Sequence, residues 1–482
     1  MYDFSDETEK LVSAQMINSG MRLYIDIFSH HGPFLHMVTH AYSTIISAAD
    51  FTYARAMTLI FLTLATIGIV TTSLHATRYS RFIACNIFLL VMATLWLTNL
   101  QHLMLYHQVG GYLFAFALAQ MLLPAILDTP INKIGAFISG GCITFACFMA
   151  YSFGLSAILF VVATLCAMDY QKQRLLCIAS WFTAGVALSF SIVMLWLYKF
   201  GDITGYGIYH FYFNEKIYSE VINFSLSNIK GYLALNEGQD GGVRLFSLLL
   251  LGFGYIGTAF LICKKHTHKL LRKLIAATIA LVAILYLNPR ATTGFHDNGM
   301  TILSVALFAL TIVQFGNHFK FKATAYFALY FCILLASCRF ILSEIITKKD
   351  AIAYKVTFKP VDTILTNRIH ELVSSEERIL LLVFHPVIYI HANRLPASGH
   401  YFYLPWQHTY SQNPIKNYNI DICADITNNK PKVIWFDDIK VWGAYMMKDY
   451  APCVTKLLED DYVMHPEEKN IYLRQELLSS SY

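Results

Sequence analysis

Ten apolar stretches follow one another along this chain, at 55–76, 83–100, 111–127, 134–150, 152–168, 175–198, 243–263, 274–288, 299–316 and 323–344. About 20 such residues in a helix cross roughly 30 Å of hydrocarbon, so a chain built this way has few folds open to it. Soluble core helices of this length carry a charged face, and these stretches do not. Composition agrees. Only 14% of the 482 residues are charged, against about 25% in a soluble domain. Mean hydropathy is +0.48. A net charge of +5 is too mild for a nucleic-acid partner, and disorder, coiled coil and a small disulfide scaffold are excluded by composition. The expected fold is a polytopic α-helical membrane protein with about ten spans.

The stretches 134–150 and 152–168 are nearly continuous, which predicts a tight helical hairpin. Lys and Arg in the short loops orient the whole. One side of the membrane receives Arg78, Arg81, Lys133, Lys172, Arg174, Lys264, Lys265, Lys269, Arg272, Lys273, Lys320 and Lys322. The short loops of the other side, 101–110, 151–154 and 289–298, hold Arg290 alone. The first side is therefore read as cytoplasmic. Residues 1–54, loop 199–242 and the C-terminal segment face outward, to a bacterial periplasm or its equivalent, from the inner (plasma) membrane. An exported first segment calls for a leading helix, so one more span is expected upstream of Met1.

After Ile346 the chain becomes rich in charge, Asn, Pro and Tyr. Apolar runs at Ile379–Phe384 and Val433–Phe436, with a periodic segment near Cys453–Leu458, predict a small outer α/β domain over 347–482. The division is thus 1–54 as a first outer loop, 55–346 as the bundle and 347–482 as the outer domain. Most cysteines lie in or beside the spans as small hydrophobes. Cys423 and Cys453 belong to the outer domain, where they are read either as a disulfide or as two buried thiols.

Chemistry is expected on the outer face. Residues 3–35 read DFSDETEKLVSAQMINSGMRLYIDIFSHHGPFL. Leu11, Ala14, Gln15 and Ile17 give a weakly amphipathic helix ending at Gly20. Gly32-Pro33 then opens a second helix, Phe34 to Ile46, suited to lie in the membrane interface. On pattern alone, an acidic pair such as Asp6-Glu7 reads as solvated surface. His30, His31, His36, His40, His102 and His107 lack metal-site spacing and are read as interfacial. No metal or other cofactor is expected.

The order of an Asp6-Glu7 pair, a helix, Gly20, Tyr24-x-Asp26 and Gly32-Pro33 before the next span resembles the first outer loop of the type C membrane glycosyltransferases. The nearer resemblance is to the branch of protein O-mannosyltransferases and lipid A aminoarabinose transferases. Gly294-Phe295-His296-Asp297 is similar to a second family segment, with Asp297 in place of a family Tyr. Asn393-Arg394-Leu395-Pro396 and Tyr401 to Trp406 are similar to outer-domain segments. The family places a spanning helix before the acidic loop, a departure that the span expected upstream of Met1 would account for.

That resemblance implies a polyprenyl-phosphate sugar as donor and transfer to an acceptor on the outer face with inversion. The acceptor would be a glycan, glycolipid or protein. Attack by an acceptor hydroxyl needs a base, and a carboxylate partly desolvated at the surface would have its pKa raised towards use. Asp6 is assigned as that base, with Glu7 as alternative and Asp26 as positioning the acceptor or holding the loop. The lipid phosphate that leaves needs cations. Arg290, His296, Arg244 and Lys216 are the candidates, although Arg244 and Lys216 read equally as snorkelling anchors. Arg394, Tyr403 and Trp406 are candidates for the acceptor or sugar. They also read as a surface ion pair and as aromatics packing the domain. Two other classes remain: a glycan polymerase or ligase, disfavoured by the scarcity of Arg in loop 199–242, and a transporter, disfavoured by spans nearly without charge.

The one-sided basic loops carry a test. A reporter fused after Tyr482 should be active outside the cytoplasm, and one inserted at Lys265 inside it. The reverse pattern would overturn the outward placement of residues 1–54.

Overall fold

A computed structural model describes residues 5–46, 51–98, 104–168, 172–222, 241–265, 269–287, 297–319, 323–347, 363–383, 386–437, 440–441, 445–466 and 468–476. The chain divides into two compact units. One combines 1–54, 194–223 and 353–482, and the other 55–193 and 224–352. The first outer loop and the C-terminal segment, separate in the sequence reading, thus fall in one unit with part of loop 199–242.

Each expected apolar stretch is helical in the second unit or on its boundary. The helices are α3 (Phe51–Thr71), α4 (Arg78–Thr98), α5 (His107–Ile126), α6 (Lys133–Cys147), α7 (Ser152–Ala167), α8 (Lys172–Phe200), α10 (Gly241–Lys265), α11 (Leu270–Leu285), α12 (Asn298–His318) and α13 (Ala323–Thr347). Among the described residues, five segments are long and apolar enough to cross a membrane: Arg78–Trp96, His107–Ile126, Leu175–Phe200, Arg244–Lys265 and Asn298–His318. Arg55–Thr71, Lys133–Cys147 and Ser152–Ala167 are apolar but shorter. The hairpin expected over 134–168 is α6 and α7, turned through 148–151.

Helix α5 is fully buried, whereas only 22% of the Leu175–Phe200 window is. Leu188, Phe190 and Leu195 on that window are exposed, as apolar side chains facing lipid would be. Small residues bring the helices close, because packing rather than water exclusion must join them in a bilayer. A Cβ at Gly140 would run into the Phe182 carbonyl, and one at Gly185 into that of Phe137. At the ends of α5 and α7, Lys273 Nζ donates to the carbonyls of Ala125 (2.6 Å) and Ala167 (2.7 Å) and to Asp128 (2.5 Å). A cation there meets the negative ends of two helices.

In the first unit, Asp6 and Glu7 open α1 (Ser5–Asn18), and the chain leaves it through Gly20 at φ +96°. α2 (Pro33–Ile46) begins on the proline, whose fixed φ suits a first turn. Both helices match expectation, but their setting does not. Nearly every residue of α1 from Glu7 to Ile17 is buried, and α2 packs directly on it. α1 is a core helix of its unit, and Ser13, His36 and Thr39 lie between the pair. Loop 199–242 opens with α9 over 203–222, much of it wound as π-helix.

Residues 363–476 form an α/β structure. The strands β1 (Leu380–Leu382), β2 (Val433–Phe436), β5 (Tyr462–Met464) and β6 (Ile471–Arg474) make one sheet in the order β1-β2-β6-β5. β1 runs parallel to β2 with Leu380 opposite Ile434, and the other pairs are antiparallel. Lys440–Val441 and Tyr445–Met446 pair as β3 and β4. The two expected apolar runs are β1 and β2, and Cys453–Leu458 lies in the helix Pro452–Asp461.

A disulfide joins Cys423 to Cys453, with Cα atoms 6.2 Å apart across 30 residues. A closed loop of that length restricts the unfolded chain by about 3.6 kcal/mol. Cys453→Ala should lower stability by about that amount in denaturant titration. Both thiols should stay unlabelled in the native protein until it is reduced, and labelling before reduction would rule the bridge out.

Candidate active site

Helix α1 sets Asp6 and Glu9 three residues apart, hence on neighbouring positions of one face. Glu9 is the centre. One carboxylate oxygen accepts from Ser29 Oγ at 2.5 Å, and the other lies 2.7 Å from His31 Nδ1 and 3.3 Å from Lys10 Nζ. His36 Nε2 is 3.7 Å from Glu9 and 3.1 Å from Ser29 Oγ, while its Nδ1 meets Ser13 Oγ at 2.6 Å. A neutral His36 fits this chain with Nε2–H donating to Ser29 and Nδ1 accepting from Ser13. Asp6, Glu9 and His31 bring ligand-type atoms within 4.8 Å of one another. A cation held by all three would have to displace the Lys10 ammonium from Glu9.

Burial alone would raise the Glu9 pKa. The charge of Lys10, then those of His36 and His30 and the Ser29 hydrogen bond, outweigh it and hold the carboxyl below its usual 4.5. His36 moves the other way: burial, reinforced by Lys10, His31 and His30 against the pull of Glu9, takes it from 6.5 to about 3. The expectation that desolvation raises a site carboxylate therefore does not hold for Glu9, because its neighbours are cationic.

The loop between α1 and α2 is held from below. Leu23 N donates to the Phe200 carbonyl at 3.0 Å, and Arg22 Nη2 donates to the Gly201 carbonyl at 2.5 Å. Phe28 N donates to Gly399 O at 3.2 Å. Tyr24 is fully buried at φ +68°, and its hydroxyl donates to the His31 carbonyl at 2.6 Å. The His30 carbonyl accepts from Asn214 at 2.8 Å and His210 at 3.1 Å, both on α9. Tyr401 OH reaches the Glu9 carbonyl at 3.5 Å. Three separated parts of the sequence, at 200–201, 210–214 and 399–401, thus hold the loop 22–31 and the Glu9 backbone.

Of the residues expected at a site, Asp6 is half-buried and belongs to this cluster, while Glu7 is buried at 1% exposure. Asp26 is exposed and accepts from Arg22 N at 2.8 Å, which closes its own turn. Arg394 is buried, with its guanidinium donating to the carbonyls of Val373, Ala392 and Asn393. It braces the domain and does not form the surface ion pair that was its alternative reading. Tyr403 and Trp406 are buried among aromatics, Tyr403 against His400 and Trp406 against Tyr218. Lys216 is exposed beside Glu215 at 3.0 Å. In the second unit, Arg244 Nε donates to buried Asp297 at 2.8 Å. Arg290 and His296 lie outside the described residues.

Glu9, Lys10, Ser29, His31 and His36 were not singled out from the sequence as a site. The reading of the histidines as interfacial is corrected for His36, which is fully buried, and for His31, which is engaged with Glu9. His107 is buried in the second unit, and His102 lies outside the described residues. The sequence carried no signal of that burial: charges at 6, 7, 9 and 10 span about 160° of a helix and read as one solvent-facing side.

The buried histidines make this unit acid-sensitive. Burial also depresses His210 and His400 from 6.5 to about 4, against the hydrogen bonds of their rings to carbonyls. Each is neutral when folded and protonates near 6.5 when unfolded, so below that pH the unfolded chain binds more protons. Stability is full above about 6.5 and falls as pH drops towards 4, by up to about 1.4 kcal/mol per pH unit for each ring. Glu9, with its depressed carboxyl, adds its loss lower still. The thermal midpoint should therefore fall between about pH 7 and about pH 5, and a flat profile would contradict these assignments.

No family model and no curated protein matches the chain. Among solved structures, it is similar to the crystal structure of the Archaeoglobus fulgidus oligosaccharyltransferase tethered by a disulfide to an acceptor peptide containing the NVT sequon. The identity is 13% and the TM-score 0.40, over 97% of this chain and 69% of that one.

Proposed function

We propose that the protein is a membrane glycosyltransferase that moves a sugar from a polyprenyl-phosphate donor to an acceptor hydroxyl, with Asp6 as general base. The observation that carries this reading is the pairing of half-buried Asp6 with a buried, charge-compensated Glu9 on the same helix. A base must be reachable by the acceptor and held by its surroundings. Glu7 is too deeply buried to be reached, and Asp26 is spent on its own turn. The acceptor oxygen attacks the anomeric carbon, Asp6 takes its proton, and the carbon–oxygen bond to phosphate breaks with its electrons leaving on the phosphate. The resemblance of residues 6–33 to the type C loop supports the donor class. Helices long and apolar enough to cross a membrane suit a lipid-linked substrate. Arg290 is proposed to meet the donor phosphate. Arg244 is less suited to that role, because Asp297 already takes up its charge.

Asp6→Asn keeps the shape and removes the basicity. In a transfer assay with undecaprenyl-phosphate-linked hexoses it should lower kcat by about 10²–10⁴ with folding preserved. Arg290→Ala should instead weaken donor binding by about 1.5–3 kcal/mol. Parental kcat in Asp6→Asn would remove Asp6 as the base. Parental rates in the amide variants of Glu7 and Asp26 as well would remove the glycosyltransferase reading.

A further inference from the structure

A base that has taken a proton must lose it before the next turnover, and the cluster around Asp6 holds a group suited to receive it. His31 Nδ1 lies 2.7 Å from the Glu9 carboxylate, so the ring sits against the charge that would stabilise its imidazolium. A carboxylate oxygen of Asp6 and a ring nitrogen of His31 lie within 4.8 Å, close enough for a single bridging water. The backbone that carries the ring is held on both sides: Tyr24 OH donates to the His31 carbonyl, and Ser29 Oγ accepts from the His31 amide at 3.1 Å. A side chain that only filled space would not need a buried carboxylate to orient it. We propose that His31 relays the proton from Asp6, with Glu9 as its positioning residue. This rests on Asp6 acting as base in the function proposed above.

The balance closes without any further reagent. The proton on Asp6 passes to the unprotonated ring nitrogen of His31, Asp6 returns to carboxylate, and the imidazolium is met by Glu9 until it releases the proton to solvent. Other charged or titratable groups face the pair. Lys10 lies on α1 beside Glu9, and His36 projects from α2. The His30 ring is 4.2 Å from that of His31 and rests on Tyr218 at 5.1 Å. Tyr24 and Tyr401 both have their hydroxyl pKa values raised well above normal, first by burial, so they remain neutral donors. Lys10 opposes protonation of His31, and Glu9 is the carboxylate in direct contact that favours it.

The test has a substrate-free arm and a turnover arm, both on the full chain in lipid. The first follows diethyl pyrocarbonate acylation of His31 against pH by peptide mass spectrometry. Glu9→Gln keeps an acceptor for Ser29 but removes the charge, so the His31 midpoint should fall by about one pH unit. An unchanged midpoint would overturn the pairing on which the relay depends. In the second arm, with an undecaprenyl-phosphate-linked hexose, His31→Gln should lower kcat about 10²-fold with KM little changed. Glu9→Gln should move the acidic limb of the kcat profile to lower pH by the same unit as in the first arm, whereas a merely structural Glu9 would lower the rate without moving the limb. Parental kcat in His31→Gln beside an inactive Asp6→Asn would overturn the relay and leave the glycosyltransferase reading standing. Parental kcat in Asp6→Asn would overturn both.

Discussion

A carboxylate taken out of water must find its charge and hydrogen bonds inside the protein, and Glu9 imposes that demand on the first unit. An isolated buried carboxylate costs several kcal/mol, and breaking a buried pair costs about as much. Lys10, Ser29 and His31 meet the demand directly, and His36 lies just beyond hydrogen-bonding distance. Because these partners come from α1, the following loop and α2, satisfying one side chain fixes how three segments cross. The Tyr24 hydroxyl on the His31 carbonyl and the Gly399 carbonyl on the Phe28 amide extend the same constraint. The first loop and the C-terminal segment are thereby bound into one unit.

The second unit obeys the same rule with other groups. Lys273 is fully buried, yet its three donors find two helix-end carbonyls and Asp128. Arg244 and Asp297 form another close pair. Charges are few among these helices, and each of these is used where backbone or a partner would otherwise be left unsatisfied. Elsewhere the helices rely on small-residue contacts such as Gly141 with Gly185.

What was legible in the sequence follows from the range of the forces involved. Apolar runs specify helices locally, so all ten stretches are helical. Gly20 and Pro33 mark helix ends through their own backbone preferences. Alternating and continuous apolar runs located β1, β2 and the last long helix. The burial of α1 was not legible, because its mixed composition becomes intelligible only once Ser29, His31 and His36 are known to face it. Arg394 misled for the same reason: its partners are carbonyls, which every residue carries and no pattern marks. The winding of 203–222 escaped because its aromatic residues read as an interfacial loop, whereas Phe28, Tyr209, Phe213 and Tyr410 pack edge to face in the unit.

The division of labour between Asp6 and Glu9 is what such an environment produces. Two carboxylates three residues apart share a helix face, and Glu9 lies against an ammonium, a hydroxyl and two imidazoles. Those contacts stabilise its anion and hold its pKa down, which makes it a poor proton acceptor and a good anchor. In the function proposed, the proton-accepting role falls to the carboxylate nearer solvent, within reach of an acceptor hydroxyl. Pairs of titratable groups whose surroundings push them apart mark acid–base roles in general. Here the anchor is also the group that fixes His31, so the charge that holds the fold together and the charge that orients the chemistry are the same one.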